Sequence, residues 1–137
     1  MKTNSDITIF NKYVDATTRA EAWVRTIVLG VTWEANKAAN VLRSGLIEAD
    51  KVAVYIPYAR GYNYLKPRAW QALSVKTGRW TLQTGDFLVR GVVYEDVDAD
   101  YTISDLKAEY DDVVAVRSVD LMDSGSPLLW HWQVGAA

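Results

Sequence analysis

The 137-residue chain contains no cysteine and a single histidine, His131. Without thiols there is no disulfide framework, no cysteine nucleophile and no soft metal ligand, a state that a reducing cytoplasm or a disulfide-free particle tolerates well. The histidine lies between Trp130 and Trp132 in a run that reads as a strand. A histidine-based triad would need Ser and Asp placed around it; the preferred reading is the plainer one, ring nitrogens satisfied by backbone or solvent. Also missing is any apolar run near the roughly 18 to 20 residues of a membrane-spanning helix, so no membrane partner is expected. Met1 to Asp6 lacks the apolar core of a secretory signal, and synthesis inside a cell is the expectation. Gly85-Asp86 and Gly91 have neither the spacing nor the following helix of a phosphate cradle. Asp96, Asp98 and Asp100 share the odd-position spacing of a calcium loop, but the positions that need Gly and Glu hold Tyr101 and Lys107. These gaps together point away from enzymatic activity, cofactors and metals.

The formal net charge of −2 lacks the basic excess of a general nucleic-acid binder. What the chain has in quantity is aromatic rings: six Trp and eight Tyr. Such side chains combine large buried area with a polar tip and are enriched at interfaces. Trp23, Trp33 and Trp132 sit inside apolar runs and read as core; others are expected to face a partner.

One domain is expected at this length, and alternation in nearly every apolar run makes it all-β: a small barrel or sandwich of about six to eight strands with long loops and one short helix. Ile7 and Ile9 mark a first strand that breaks up at Asn11-Lys12. In the second, Trp23, Ile27, Leu29, Val31 and Trp33 share one face. Ala35 to Arg43 reads as a hairpin tip or a short helix. Val52, Val54 and Ile56 form a third strand that Pro57 ends, since proline cannot donate to a ladder. Trp80-Thr81-Leu82, the turn at Gly85, and Phe87 to Val93 read as strand, turn, strand. Ser104 is placed to cap a helix to Tyr110, with Leu106 and Tyr110 on one face. Val113 to Val119 and Leu128 to Val134, around Asp123-Ser124-Gly125-Ser126-Pro127, read as an antiparallel hairpin that closes the sheet.

Charge is polarised along the chain. From Tyr58 to Trp80 five aromatics interleave with Arg60, Lys66, Arg68, Lys76 and Arg79, and no acidic residue occurs; from Asp86 to Asp112 nine carboxylates face only Arg90 and Lys107. A long loop without structure of its own is uncommon in a compact domain unless it is functional. The first segment is therefore expected to project and dock on a neighbour, with Tyr58, Arg60, Tyr62, Tyr64, Arg68, Trp70 and Arg79 as candidate interface residues. The stretch Glu95 to Asp112 of an adjacent copy is one candidate for the facing surface. The competing use of the same loop is to stack on bases and pair with phosphates of a single strand.

Taken in order, Asp6-Ile7-Thr8-Ile9-Phe10-Asn11-Lys12, Gly30-Val31-Thr32-Trp33, Lys51-Val52-Ala53-Val54-Tyr55-Ile56-Pro57, Thr84-Gly85-Asp86-Phe87-Leu88-Val89-Arg90-Gly91 and His131-Trp132-Gln133-Val134-Gly135 resemble small virion proteins of tailed bacteriophages and prophages, the minor capsid or head-tail joining proteins. The closing His-Trp-x-Val-Gly and the Thr-Gly-Asp turn are the most specific of these motifs. The resemblance implies a compact β-barrel that assembles as a homo-oligomeric ring in the neck. It would sit between portal or adaptor and tail proteins, as a head-completion or stopper component, with loops that close the channel on packaged DNA or dock on the adjoining ring. It also implies a virion location after synthesis in the host bacterial cytoplasm. The chain departs from the commonest joining proteins in its long Tyr58 to Trp80 insertion. A minor capsid or capsid-surface role, and a nucleic-acid-binding barrel, are the alternatives.

Overall fold

The structure, a computed structural model, describes residues 3–35 and 52–137. Six strands close into an antiparallel barrel: β1 (Ser5–Val14), β2 (Glu21–Ala35), β3 (Val52–Pro57), β4 (Phe87–Arg90), β5 (Val113–Met122) and β6 (His131–Ala136), arranged around the ring as β1-β2-β3-β6-β5-β4. Two short helices interrupt them, α1 (Pro67–Gln71) and α2 (Ile103–Glu109). The all-β expectation holds, and the C-terminal hairpin closes the sheet by pairing β6 with both β3 and β5. From residue 36 on, the expectation for Ala35 to Arg43 falls outside the described residues.

Alternation sorts the strand side chains into two cores. The barrel interior holds Ile7, Ile9, Val28, Val31, Trp33, Val52, Val54, Ile56, Leu88, Trp132 and Val134. A second cluster, on the outer face of β1, β2 and β4, packs Phe10 and Val89 against Val93, Val97 and Leu106, with Trp23 and Phe87 beside them. The acidic segment is thus a layer laid over the outside of one wall.

The single face expected for β2 is split. Ser5 pairs with Val31 but Ile7 with Val28, so β2 carries one extra residue there. Gly30, at φ +79°, supplies the left-handed backbone this bulge needs, and its N–H donates to Asp6 Oδ1 at 3.0 Å. The slip sends Val28 inward together with Val31 and Trp33, leaves Leu29 56 % exposed, and turns Trp23 toward the outer cluster.

Other boundaries differ for local reasons. β1 continues through Asn11-Lys12, because Asn11 points into the barrel and finds partners there: Nδ2 donates to the Thr81 carbonyl and to Asp86 Oδ2, each at 2.7 Å. The same Asn11 takes the Thr81 N–H at 3.2 Å, so Trp80-Thr81-Leu82 forms no strand and Trp80 makes only one bridge, to Tyr64. β4 stops at Arg90: Gly91 has φ +101°, and Thr8 Oγ1 donates to the Gly91 carbonyl and accepts the Val93 N–H, both at 2.9 Å. β6 begins at His131, since Pro127–Leu129 is a 3-10 turn. The cap of α2 is Thr102, two residues before the expected Ser104. Its hydroxyl accepts from Asp105 N while the Asp105 carboxylate accepts from Thr102 N, a reciprocal capping box.

Candidate functional site

Two seams of the barrel carry partial pairing. β3 reaches β2 only from Thr32 to Ala35, and β4 reaches β5 only from Val113 to Ala115. Residues 58–82 fill the space that this leaves. The basic aromatic segment is therefore folded onto its own barrel instead of projecting, a correction with a clear physical cause: its rings are the missing part of the wall.

The filling begins where β3 ends. A 3-10 turn, Tyr58–Arg60, follows Pro57, and Tyr58 N donates to the Trp130 carbonyl at 2.9 Å. The Tyr58 ring stacks on Trp132, centroids 5.1 Å apart at 23°, and meets Trp130 edge-on at 5.6 Å. Tyr64 packs on Trp132 at 4.6 Å and on Trp80 at 5.1 Å, and Trp80 and Trp132 stand 5.7 Å apart. Each such pair contributes about 0.5–1.5 kcal/mol beyond area burial. Burial pushes the Tyr64 hydroxyl above its ordinary pKa. Gly61 is required by close approach: a Cβ there would lie 2.2 Å from the Trp132 ring.

Further along, Pro67 opens α1 and Trp70 is fully buried, with Nε1 donating to the Arg79 carbonyl at 3.1 Å. Tyr13 meets Trp70 edge-on at 6.1 Å, and Lys76 Nζ lies 4.9 Å from the Tyr13 ring centre. Gln71 Nε2 donates to the Lys12 carbonyl at 3.0 Å. Trp70 and Tyr64 therefore anchor the segment to the barrel. Tyr58 and Tyr62 remain exposed, Tyr62 to 83 %, as do Arg60 and Arg68; Arg79 is half-buried beside the Asn63 carbonyl. Arg60 lies across the β2 bulge, so near that a Cβ on Gly30 would sit 2.7 Å from its Nη2. The only ion pairs among the described residues are Lys12–Glu21 and Arg25–Asp96, which leaves Arg60, Lys66, Arg68 and Arg79 without a carboxylate partner there.

Between this segment and β5 an apolar groove of about 540 Å³ opens. Tyr58, Tyr64 and Trp132 line it together with Pro67, Val119 and Leu121, and Lys66 is the cation in its lining. Trp132, Val119 and Leu121 come from the C-terminal hairpin, and none was among the candidate interface residues. Their signal in the sequence is the alternation of that hairpin, which places Trp132 and Leu121 directly opposite each other.

The buried carboxylate among the described residues is Asp86. Its oxygens accept from Lys12 N at 3.0 Å, Asn11 Nδ2 at 2.7 Å and Gln83 Nε2 at 3.0 Å. Desolvation raises its pKa in spite of these bonds. With its lone pairs taken by donors of its own chain, it ties β1 to the turn before β4. His131 Nδ1 lies 2.9 Å from the Leu129 carbonyl and its ring meets Tyr55 edge-on. Among the described residues no three His, Asp or Glu side chains gather as metal ligands would, and no helix is long and apolar enough to cross a membrane.

Over residues 2–137 the chain matches a family of unknown function (DUF6751). It belongs to that family. No curated protein and no solved structure matches it. In this DUF6751 protein the groove combines aromatic walls with the Lys66 ammonium, which has no carboxylate partner among the described residues.

Proposed function

We propose that the protein is a structural virion subunit of a tailed bacteriophage, a neck component of the head-completion or stopper type that assembles as a ring between portal or adaptor and tail. It acts through its surfaces and carries out no chemistry. The observation that carries this reading is the arrangement of charge on the closed barrel. The acidic layer lies on the outer face of β1, β2 and β4, while the cationic segment packs on the C-terminal hairpin and the β2 bulge, and its Arg60, Lys66, Arg68 and Arg79 make no ion pair with a carboxylate among the described residues. Separate patches of opposite sign on one subunit suit a head-to-tail contact between identical subunits, and such contacts generate rings when the rotation closes. The motif order described above supports the neck in particular.

The test is charge reversal at Arg60 and Arg68, both exposed and without a carboxylate partner among the described residues. Arg60→Glu with Arg68→Glu is expected to abolish incorporation into particles and tail attachment, while the isolated chain stays folded, since exposed charges contribute about 0–1 kcal/mol to stability. Entry of the doubly reversed protein into virions at normal copy number, with tails attached, would sink the reading. A second reading, a binder of single-stranded nucleic acid, draws on the exposure of Tyr62 beside Arg60. It predicts retention of DNA that falls steeply with salt.

A further inference from the structure

Tyr94 is the large aromatic side chain that the outer layer does not use: it is 78 % exposed, while the residues on either side of it are fixed. Val93 is held from two directions, its N–H by Thr8 Oγ1 and its carbonyl by Arg25 Nη1 at 3.0 Å, and Asp96 is paired with Arg25 at 2.9 Å. Tyr94 therefore stands on a rigid base over β2. Glu95, Asp96, Asp98 and Asp100 follow it before Tyr101, with no cation between. Elsewhere on the barrel, the groove beside β5 has the complementary make-up: aromatic lining from Tyr58, Tyr64 and Trp132, with Lys66 in the lining and Arg68 two residues on.

We infer that Tyr94 of one copy inserts into the groove beside β5 of the next copy, with the carboxylates after it facing Lys66 and Arg68. The inference rests on the ring reading above and names the contact that would build the ring. An aromatic anchor on a pre-ordered backbone, entering a concave apolar site within an oppositely charged rim, has the form of an interface hot spot. The charged rim sets orientation and rate of encounter, and the ring supplies most of the affinity.

The experiment uses the full-length protein, with sedimentation and mass photometry over a concentration series and a photoreactive benzoylphenylalanine at position 94. Expected are self-association, cross-links from position 94 to peptides carrying Tyr58, Tyr64 to Pro67 or Leu121, and association weakened about thirtyfold or more in Tyr94→Ser, as loss of an anchor implies. Tyr94→Phe retains most of it. Lys66→Glu weakens association and removes part of its salt dependence, with an unchanged near-ultraviolet circular dichroism spectrum as the check on folding. Assemblies that form equally well in Tyr94→Ser, or cross-links that run to the exposed Leu128-Leu129 tip or elsewhere outside the groove, overturn this contact and leave the ring reading standing. A chain that stays monomeric throughout the series overturns both.

Discussion

Two connecting segments among the described residues, 58–82 and 91–112, are similar in length and opposite in charge, and they are held by different physics. The first is held by rings: Tyr58, Tyr64 and Trp80 all pack on Trp132, and Trp70 is sealed under Tyr13 and Lys76. The second has a smaller apolar underside, Val93, Val97 and Leu106, and is shaped by short polar links. Among these are the Thr102–Asp105 capping box, the Asp98 carboxylate accepting from Asp100 N and Tyr101 N, and the hydroxyls of Tyr101 and Tyr110 donating to Glu109 and Glu95. The difference teaches where perturbation should matter. Aromatic packing is cooperative and costly to breach; exposed polar links are local and individually weak.

The largest effect is expected at the centre of the first segment. Trp132→Ala should lower the unfolding free energy by about 3–5 kcal/mol, in the range for large aromatic truncations in cores. Gly61→Ala, which adds a single methyl group against that ring, should cost about 1–3 kcal/mol by overpacking. Chemical denaturation of both variants checks the ranking. A loss for Trp132→Ala no larger than for an exposed site would show that the rings do not hold the segment down.

Asp86 comes next, because it joins the two segments' supports at the barrel's buried polar corner. Asp86→Ala removes the side-chain acceptor of Lys12 N and one of the two acceptors of Asn11 Nδ2 and Gln83 Nε2, which keep the Thr81 and Lys12 carbonyls, at about 1–3 kcal/mol in all. Its pH signature has a definite sign. Desolvation raises the folded pKa above 3.8, so the folded state binds the extra proton, and this group's contribution to stability falls as pH rises from 3.8 through the folded pKa. Glu95 runs the other way: the Tyr110 hydroxyl lowers its pKa, so its contribution is present above 4.5 and is lost as pH falls through the folded value. Stability of Asp86→Asn and Glu95→Gln across the acid range should diverge from wild type with opposite slopes.

Much of the fold is legible in the sequence because period-2 alternation is a local signal. Val52, Val54 and Ile56 all point inward as their spacing implies, and the C-terminal hairpin pairs as its turn residues suggest. Legibility fails where one residue changes parity or where a side chain replaces a strand partner. Gly30 inverts the expected face of half of β2, and Asn11 captures the backbone of Thr81 from 70 positions away. The same non-local logic hides the groove. Tyr58 and Tyr64 are visible as part of an aromatic segment, but Val119, Leu121 and Trp132 look like any half-buried hairpin until the sheet closes and leaves the β5 edge beside them. Trp132 is buried as its apolar run implies, but Trp70, expected at an interface, and Trp80 are consumed in the wall with it.

In the acidic layer, removing the capping hydroxyl with Thr102→Ala should cost about 1 kcal/mol, a smaller loss than either change at the rings. Smaller still is the link between Tyr110 and Glu95. The Glu95 carboxylate accepts the Tyr110 hydroxyl at 2.7 Å and pushes its pKa up to about 12, with partial burial and neighbouring negative charge adding to the effect. Since the unfolded phenol titrates near 10, the folded state keeps its proton longer, and this contribution to stability disappears as pH rises from about 10 to about 12. Tyr110→Phe keeps the ring on the outer cluster and removes the bond, so it should flatten that alkaline slope and lower stability at neutral pH by no more than about 1 kcal/mol, as befits a partly exposed link. The difference in ultraviolet absorbance between wild type and Tyr110→Phe isolates the one phenol. If it ionises near 10 in the folded protein, this link does not help to hold the layer, and the contrast between the two segments rests on the remaining polar links.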